Sequence, residues 1–277
     1  MKIAIATESA CDLSKQQIKE NNIHVIPFHV VLGEEEKLDD GSFTSQMLFD
    51  YVSQTGVLPK TAAITVGEYE DFFKKILKDY DKVVFIGISS ELSSTNNNAV
   101  LAAKNVKNVY VIDSKNLSTG IGLLVLSACD KVKLGIDVEQ IVSQIKEEVE
   151  RTQASFVLNT LKYMHKGGRC SVFTLLGATA LGIKPEIKVS EGKMSVGQKY
   201  KGKFDVVLEK YCDDVLKNNN PNLKRAFVTY SSRPEFLDKI IKKVKDYGFE
   251  EVCETTAGAT VSSHCGPLTV GVLFINK

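Results

Sequence analysis

The chain has 277 residues, 43% hydrophobic and 25% charged, with a formal net charge of +1. That size allows one large domain or two ordinary ones around a real core. The near-neutral balance gives no broad electrostatic draw toward nucleic acid or an anionic membrane. No run approaches the roughly 18 apolar residues of a membrane helix, and "MKIAIATESACDL" opens as a strand rather than a signal core. The expectation is a cytoplasmic protein with no integral membrane segment. Six cysteines, at 11, 129, 170, 212, 253 and 265, form no C-x-x-C pair, and the four histidines show no H-E-x-x-H spacing. Neither a disulfide framework nor a metal site is expected.

In chain order, "KIAIAT", "IHVIPFHVV", "KVVFIGI" and "NVYVID" are short apolar runs with little polar alternation, as in parallel strands covered on both faces. Helical patterns separate them: "LSKQQIKENN", "SQMLFDYVSQTG", "VGEYEDFFKKILKDY" and "TNNNAVLAAKNV". "LSTGIGLLVLSACDKVKLG" and a long amphipathic stretch capped by Asp137 follow. Residues 1–153 therefore read as an N-terminal α/β, doubly wound domain of Rossmann-like type with a mostly parallel sheet. After residue 153 the pattern changes. "SFVLNT" is a strand and "LKYMHKGG" a short helix; "IKPEIKVSEGKMSVGQKYKG" is a hairpin about "SEGK". Helix 203–218, strand "LKRAFVTYSS", helix 234–247 and strands "EEVCETT" and "LTVGVLFI" complete a C-terminal α+β domain, 154–277, with a mixed or antiparallel sheet.

Ligands of doubly wound sheets bind beyond the carboxyl ends of the strands, and three polar clusters fall there: "TESACDL" (7–13), the loop "KTAAIT" (60–65) and "ISSELSSTNNNA" (88–99). In the third, Ser93, Ser94 and Thr95 begin a helix, where free N–H groups and hydroxyls suit a carboxylate or phosphate. Helix capping uses only one such side chain. A fourth cluster, "SSHCGPLTVGVLF" (262–274), sets His264 among small residues before a turn, and "MHKGGRCS" carries Arg169 in a glycine-broken turn. No G-x-G-x-x-G, Walker loop or G-x-S-x-G elbow is present.

Taken in order, "ATESACDL", "LPKTAAIT", "ISSELSSTNNNA", "VIDSKNLSTGIGLLV", "MHKGGRCS" and "SSHCGPLTVGVLF" make the chain resemble the DegV family over essentially its whole length. The resemblance implies a non-catalytic lipid-binding protein that holds one long-chain fatty acid, such as hexadecanoate, between two domains and needs no other cofactor. It further implies a partner, the ATP-using subunit of a fatty acid kinase, to which the carboxylate is presented for acyl phosphate formation. By resemblance, Thr61, Ser93 and Ser94 hold the carboxylate, His264 lies near the head group and Arg169 serves the partnership. The chain departs from the family pattern at Ala62-Ala63-Ile64, at Ser94 and Asn96, and at Leu268.

Burying about 14 methylenes at roughly 0.8 kcal/mol each gives on the order of 11 kcal/mol of gross driving force, so the head group needs orientation more than added attraction. The uncharged stretch "VFTLLGATALGI" (172–183) is the expected tunnel lining, its alternative being a plain core helix. Two other functions fit parts of the sequence: a phosphosugar-binding or isomerase module using the Ser/Thr-rich loop, and a serine acyl hydrolase using Ser93 or Ser94 with His264.

Overall fold

The computed structural model describes residues 1–167 and 182–277. Strands β1 (Ile3–Glu8), β2 (His24–Ile26), β6 (Lys82–Gly87) and β7 (Val109–Asp113) form a parallel sheet in the order β2-β1-β6-β7. Both β1 and β6 are buried at every residue after the first, which is why they read as unbroken apolar runs. The chain goes from β1 to one side and then crosses to the other, so the topological switch lies between the carboxyl ends of β1 and β6.

The run "IHVIPFHVV", expected as one strand, is two. β2 ends at Ile26, and β3 (His29–Leu32) leaves for a separate antiparallel sheet with β4 (Glu35–Leu38) and β5 (Lys60–Ala62), ordered β4-β3-β5. Pro27 has no N–H to continue a ladder, and the next amide, Phe28 N–H, donates to Ser9 Oγ at 3.0 Å. The expected loop "KTAAIT" correspondingly contains β5, whose Thr61 pairs with Val30.

Six strands build the other sheet: β8 (Thr152–Val157), β9 (Ile183–Ser190), β10 (Lys193–Lys201), β11 (Pro221–Tyr230), β12 (Glu251–Thr256) and β13 (Val270–Asn276). Their order is β10-β9-β8-β13-β11-β12, antiparallel except for β11 with β12, as the mixed-sheet reading expects. The "SEGK" hairpin turns on Glu191 and Gly192, both at positive φ. α8 (Phe204–Lys217) and α9 (Leu237–Asp246) pack on this sheet through a second hydrophobic cluster.

Between the sheets lie α5 (Thr119–Lys133) and α6 (Val138–Arg151). Ten of the fifteen residues of α5 are buried, since it touches β1 and β6 on one side and β11 and β13 on the other. A helix apolar nearly all round is one with neighbours nearly all round. One hydrophobic cluster accordingly runs from Ile5 and Val84 through Leu124 and Ile141 to Ala154, Phe227 and Leu273.

At the switch point Glu8 is fully buried. Its carboxyl accepts from Tyr69 Oη at 2.5 Å and from Ile88 N–H at 2.7 Å, tying α3 (Val66–Ile76) and the chain after β6 to β1. Burial, opposed by those two hydrogen bonds, pushes its pKa up to about 7. The native state therefore keeps a proton that the unfolded chain releases near pH 4.5, and this contribution to stability is lost as pH rises from there through about 7. Calorimetry should show Tm falling by several degrees from pH 5 to 7.5, with a shallower slope in Glu8→Gln. A flat or rising Tm, or an unaltered slope in the variant, contradicts this role.

Candidate functional site

The short helix α10 (Ala259–Cys265) crosses the seam between the two halves of the chain. Seven residues are too few for a helix to hold itself, so its pose comes from its ends. At the start, Ala259 N–H and Thr260 N–H donate to the two oxygens of Asp39 at 2.9 and 3.1 Å, and Gly258 N–H donates to Asp12 at 2.8 Å. A Cβ on Gly258 would stand 2.9 Å from Asp39, so only glycine allows both carboxylates this close. Asp12 also accepts from Ser118 Oγ at 2.5 Å; burial outweighs these bonds and pushes its pKa up to about 8. At the far end, Ser231 Oγ donates to Gly266 O at 2.6 Å and Thr269 Oγ1 to Cys265 O at 3.0 Å.

So fixed, α10 turns Thr260, Val261, His264 and Cys265 onto one cavity. His264 Nε2 lies 3.1 Å from Thr61 Oγ1 on β5, a contact between residues 203 apart in sequence. Ser93, on the loop after β6, lines the same cavity, as do Phe28, Ile88 and Leu92. Met164 and Met194 contribute pliable thioethers. Leu117, Phe156, Val261 and Cys265 are shared with a second stretch that continues to Ala154, Gly271 and Leu273. Free volumes are about 70 Å³ in the first stretch and about 40 Å³ in the second; one water takes roughly 10–15 Å³ by this measure. Hydroxyls also border the second stretch, but their bonds go to protein: Ser118 to Asp12, Thr229 to Thr119 and Thr255, Ser231 and Thr269 to the end of α10. Cys265 has its thiol pushed up to about 12 by burial, so it stays neutral. The result is an apolar slot with a polar mouth at Thr61, His264 and Ser93.

The structure thus brings together Thr61, Ser93 and His264. Ser94 is exposed at the N-cap of α4 (Thr95–Asn105), makes no side-chain cap bond and is not on the cavity. Most hydroxyls after "FIGI" have structural partners. Ser89 Oγ donates to Gly192 O at 2.8 Å, Ser90 Oγ to Asp113 at 2.6 Å, and Thr95 Oγ1 accepts from Ile64 N–H at 3.1 Å. The first N–H of α4 is taken as well, Thr95 N–H donating to Ser93 Oγ at 3.3 Å. Arg169 and the stretch 172–183, apart from its last two residues, lie outside the described residues. The lining residues Leu117, Phe156, Val261 and Cys265 carry no sequence signal beyond being apolar. Among the described residues no group of His, Cys, Asp and Glu is placed to hold a metal ion, and no helix is long and apolar enough to cross a membrane.

The family model described as "Uncharacterised protein, DegV family" matches residues 2–277. A DegV domain-containing protein of Clostridium perfringens is 30% identical, the match covering 100% of this chain and 99% of the relative. The structure of a Thermus thermophilus DegV family protein, described as fatty acid binding, superposes with a TM-score of 0.91 at 25% identity, covering 100% of both chains. DegV of Bacillus subtilis, described as a fatty acid binding protein, gives 0.85 at 25% identity, again over 100% of both chains. The chain belongs to the DegV family.

Proposed function

We propose that this chain is a cytoplasmic carrier that binds one long-chain fatty acid, its carboxylate at Thr61, Ser93 and His264 and its acyl chain running past Val261 and Cys265 toward Leu273. The observation that carries the reading is an apolar cavity on which, among the described residues, Thr61, Ser93 and His264 come together at one end. The two family structures described as fatty acid binding support it. Residues 1–153 and 154–277 act as two units with the ligand between them. The carboxylate is presented to an ATP-dependent fatty acid kinase subunit for acyl phosphate formation, with Arg169 at the contact and no catalysis by this chain alone. Hydroxyls and a histidine orient a carboxylate without the tight neutralisation of an arginine fork.

The other readings find less support. A hydrolase would pair Ser93 with His264, but His264 Nε2 lies against Thr61 Oγ1 at 3.1 Å, and Ser93 Oγ accepts from Thr95 N–H. A sugar phosphate would meet no cation among the described lining residues and would leave the apolar stretch unused.

Mass spectrometry of the denatured, purified protein should find a co-purified long-chain fatty acid; none, together with a Tm raised by a sugar phosphate, would favour the phosphosugar module. Each head-group hydrogen bond to a charged acceptor is worth roughly 1.5–3 kcal/mol, so Thr61→Ala or Ser93→Ala should weaken fatty acid binding about tenfold or more while Tm without ligand stays near the parent's. Ser94→Ala should bind like the parent. Parent-like affinity in both Thr61→Ala and Ser93→Ala would make these hydroxyls structural. Val261→Phe should shorten the longest acid retained, because the slot has no room for an overpacked wall; an unchanged lipid profile would remove α10 from the chain-binding wall. Arg169→Ala should bind lipid normally yet slow acyl phosphate formation in the presence of kinase subunit and ATP. Acyl phosphate made by this chain with ATP alone would contradict the carrier role.

A further inference from the structure

One hydroxyl on the cavity wall stands apart from the rest. Thr260 is only 5% exposed and lines the stretch that holds Thr61, Ser93 and His264, yet its Oγ1 has no hydrogen-bond partner among the described residues. Neighbouring hydroxyls on α10 are all engaged: Ser262 Oγ donates to Ala257 O at 3.1 Å and Ser263 Oγ to Thr260 O at 2.7 Å. The main chain of Thr260 is engaged too, its N–H with Asp39 and its carbonyl with Ser263. Burying a hydroxyl with nothing to bond is unfavourable, and valine would fill the same space without that cost. A threonine here makes sense if the ligand supplies the acceptor.

Geometry says which part of the ligand that is. Thr260 precedes His264 by four residues, one helical turn on the same face, where side chains stand about 5–6 Å apart. His264 meets Thr61 at 3.1 Å. A carboxylate has two oxygens with about four lone-pair sites, and O–H···O bonds of roughly 2.5–3.0 Å on either side let one group bridge that gap. We propose that Thr260 is a carboxylate-binding residue, its hydroxyl donating to one oxygen of the fatty acid while Thr61 and Ser93 hold the other. This rests on the fatty acid reading and adds to it a two-sided grip that sets the preference for an acid over other long-chain lipids.

The test compares the parent, Thr260→Val and Thr260→Ser for binding of a long-chain fatty acid and of the primary alcohol of equal length. Thr260→Val should weaken acid binding about tenfold or more, in line with one lost bond to a charged acceptor, and reduce the acid-over-alcohol preference by a similar factor. Thr260→Ser should keep most of that preference. Without ligand, Thr260→Val should have a Tm equal to or above the parent's, because a buried unpaired hydroxyl is gone. Acid binding by Thr260→Val equal to the parent's, or equal losses for acid and alcohol, would overturn the assignment and leave Thr260 as packing. Loss confined to acids bearing a hydroxyl near the carboxyl end would overturn it in favour of a chain-hydroxyl contact. A parent that binds neither lipid would overturn the fatty acid reading itself, and this is seen before any variant is made.

Discussion

The architecture of the site depends on two buried carboxylates at the start of α10. Asp39 takes the first two N–H groups of the helix, and Asp12 takes the N–H of Gly258 just before it. These contacts join residues 220, 221 and 246 apart, so the N-terminal half of the chain holds the element on which the C-terminal half carries its histidine. A helix start suits carboxyl oxygens as acceptors because its first N–H groups have no intrahelical partner, and Asp12 can accept there even though burial favours its neutral form. The arrangement is stiff from both sides. Gly258 gives the carboxylates room, and Ser231 and Thr269 fasten the opposite end.

With α10 fixed, the cavity follows from where the sheets leave a gap. α5 and α6 fill the space between the parallel and mixed sheets with a continuous core. Beyond the start of α5, past the carboxyl ends of β1 and β6, Leu117, Phe156, Val261 and Cys265 face one another across the seam without closing it. The surrounding hydroxyls bond to protein, which leaves hydrocarbon facing the slot. Among the described residues, Thr61, Ser93 and His264 come together where β5, the loop after β6 and α10 meet. In the proposed function an elongated amphiphile lies with its polar end at Thr61 and its apolar end toward Leu273.

The strands that matter were legible because they are buried on both faces, so their residues need no alternation to be recognised. Ser93, Ser94 and His264 lay in polar clusters at strand ends and turns and Thr61 came from the family resemblance; the fold gathers all of these but Ser94. The hydroxyl cluster after "FIGI" was less legible. Its residues are mostly fasteners whose partners are remote, as in Ser89 with Gly192, 103 residues away, or Thr95 with Ile64. A chain read locally shows the donors but not those acceptors. The division at Pro27 was visible as a proline yet outweighed by the apolar run around it. The cavity wall offered no pattern at all, because Leu117, Phe156 and Val261 come from a loop, a strand and a helix. Thr260 passed unnoticed because the seven-residue α10 is too short to show a helical pattern, and only its burial without a partner among the described residues marks it out.

The central claim is the direction and seat of the ligand, and a crystal structure of the protein with a bound saturated long-chain fatty acid tests it most directly. The account predicts a carboxylate oxygen within about 3 Å of Thr61 Oγ1 and of Ser93 Oγ, with the acyl chain passing between Val261 and Phe156 toward Leu273. A chain lying in the reverse sense, with its methyl end at Thr61, or density for the acid elsewhere on the molecule, would contradict it.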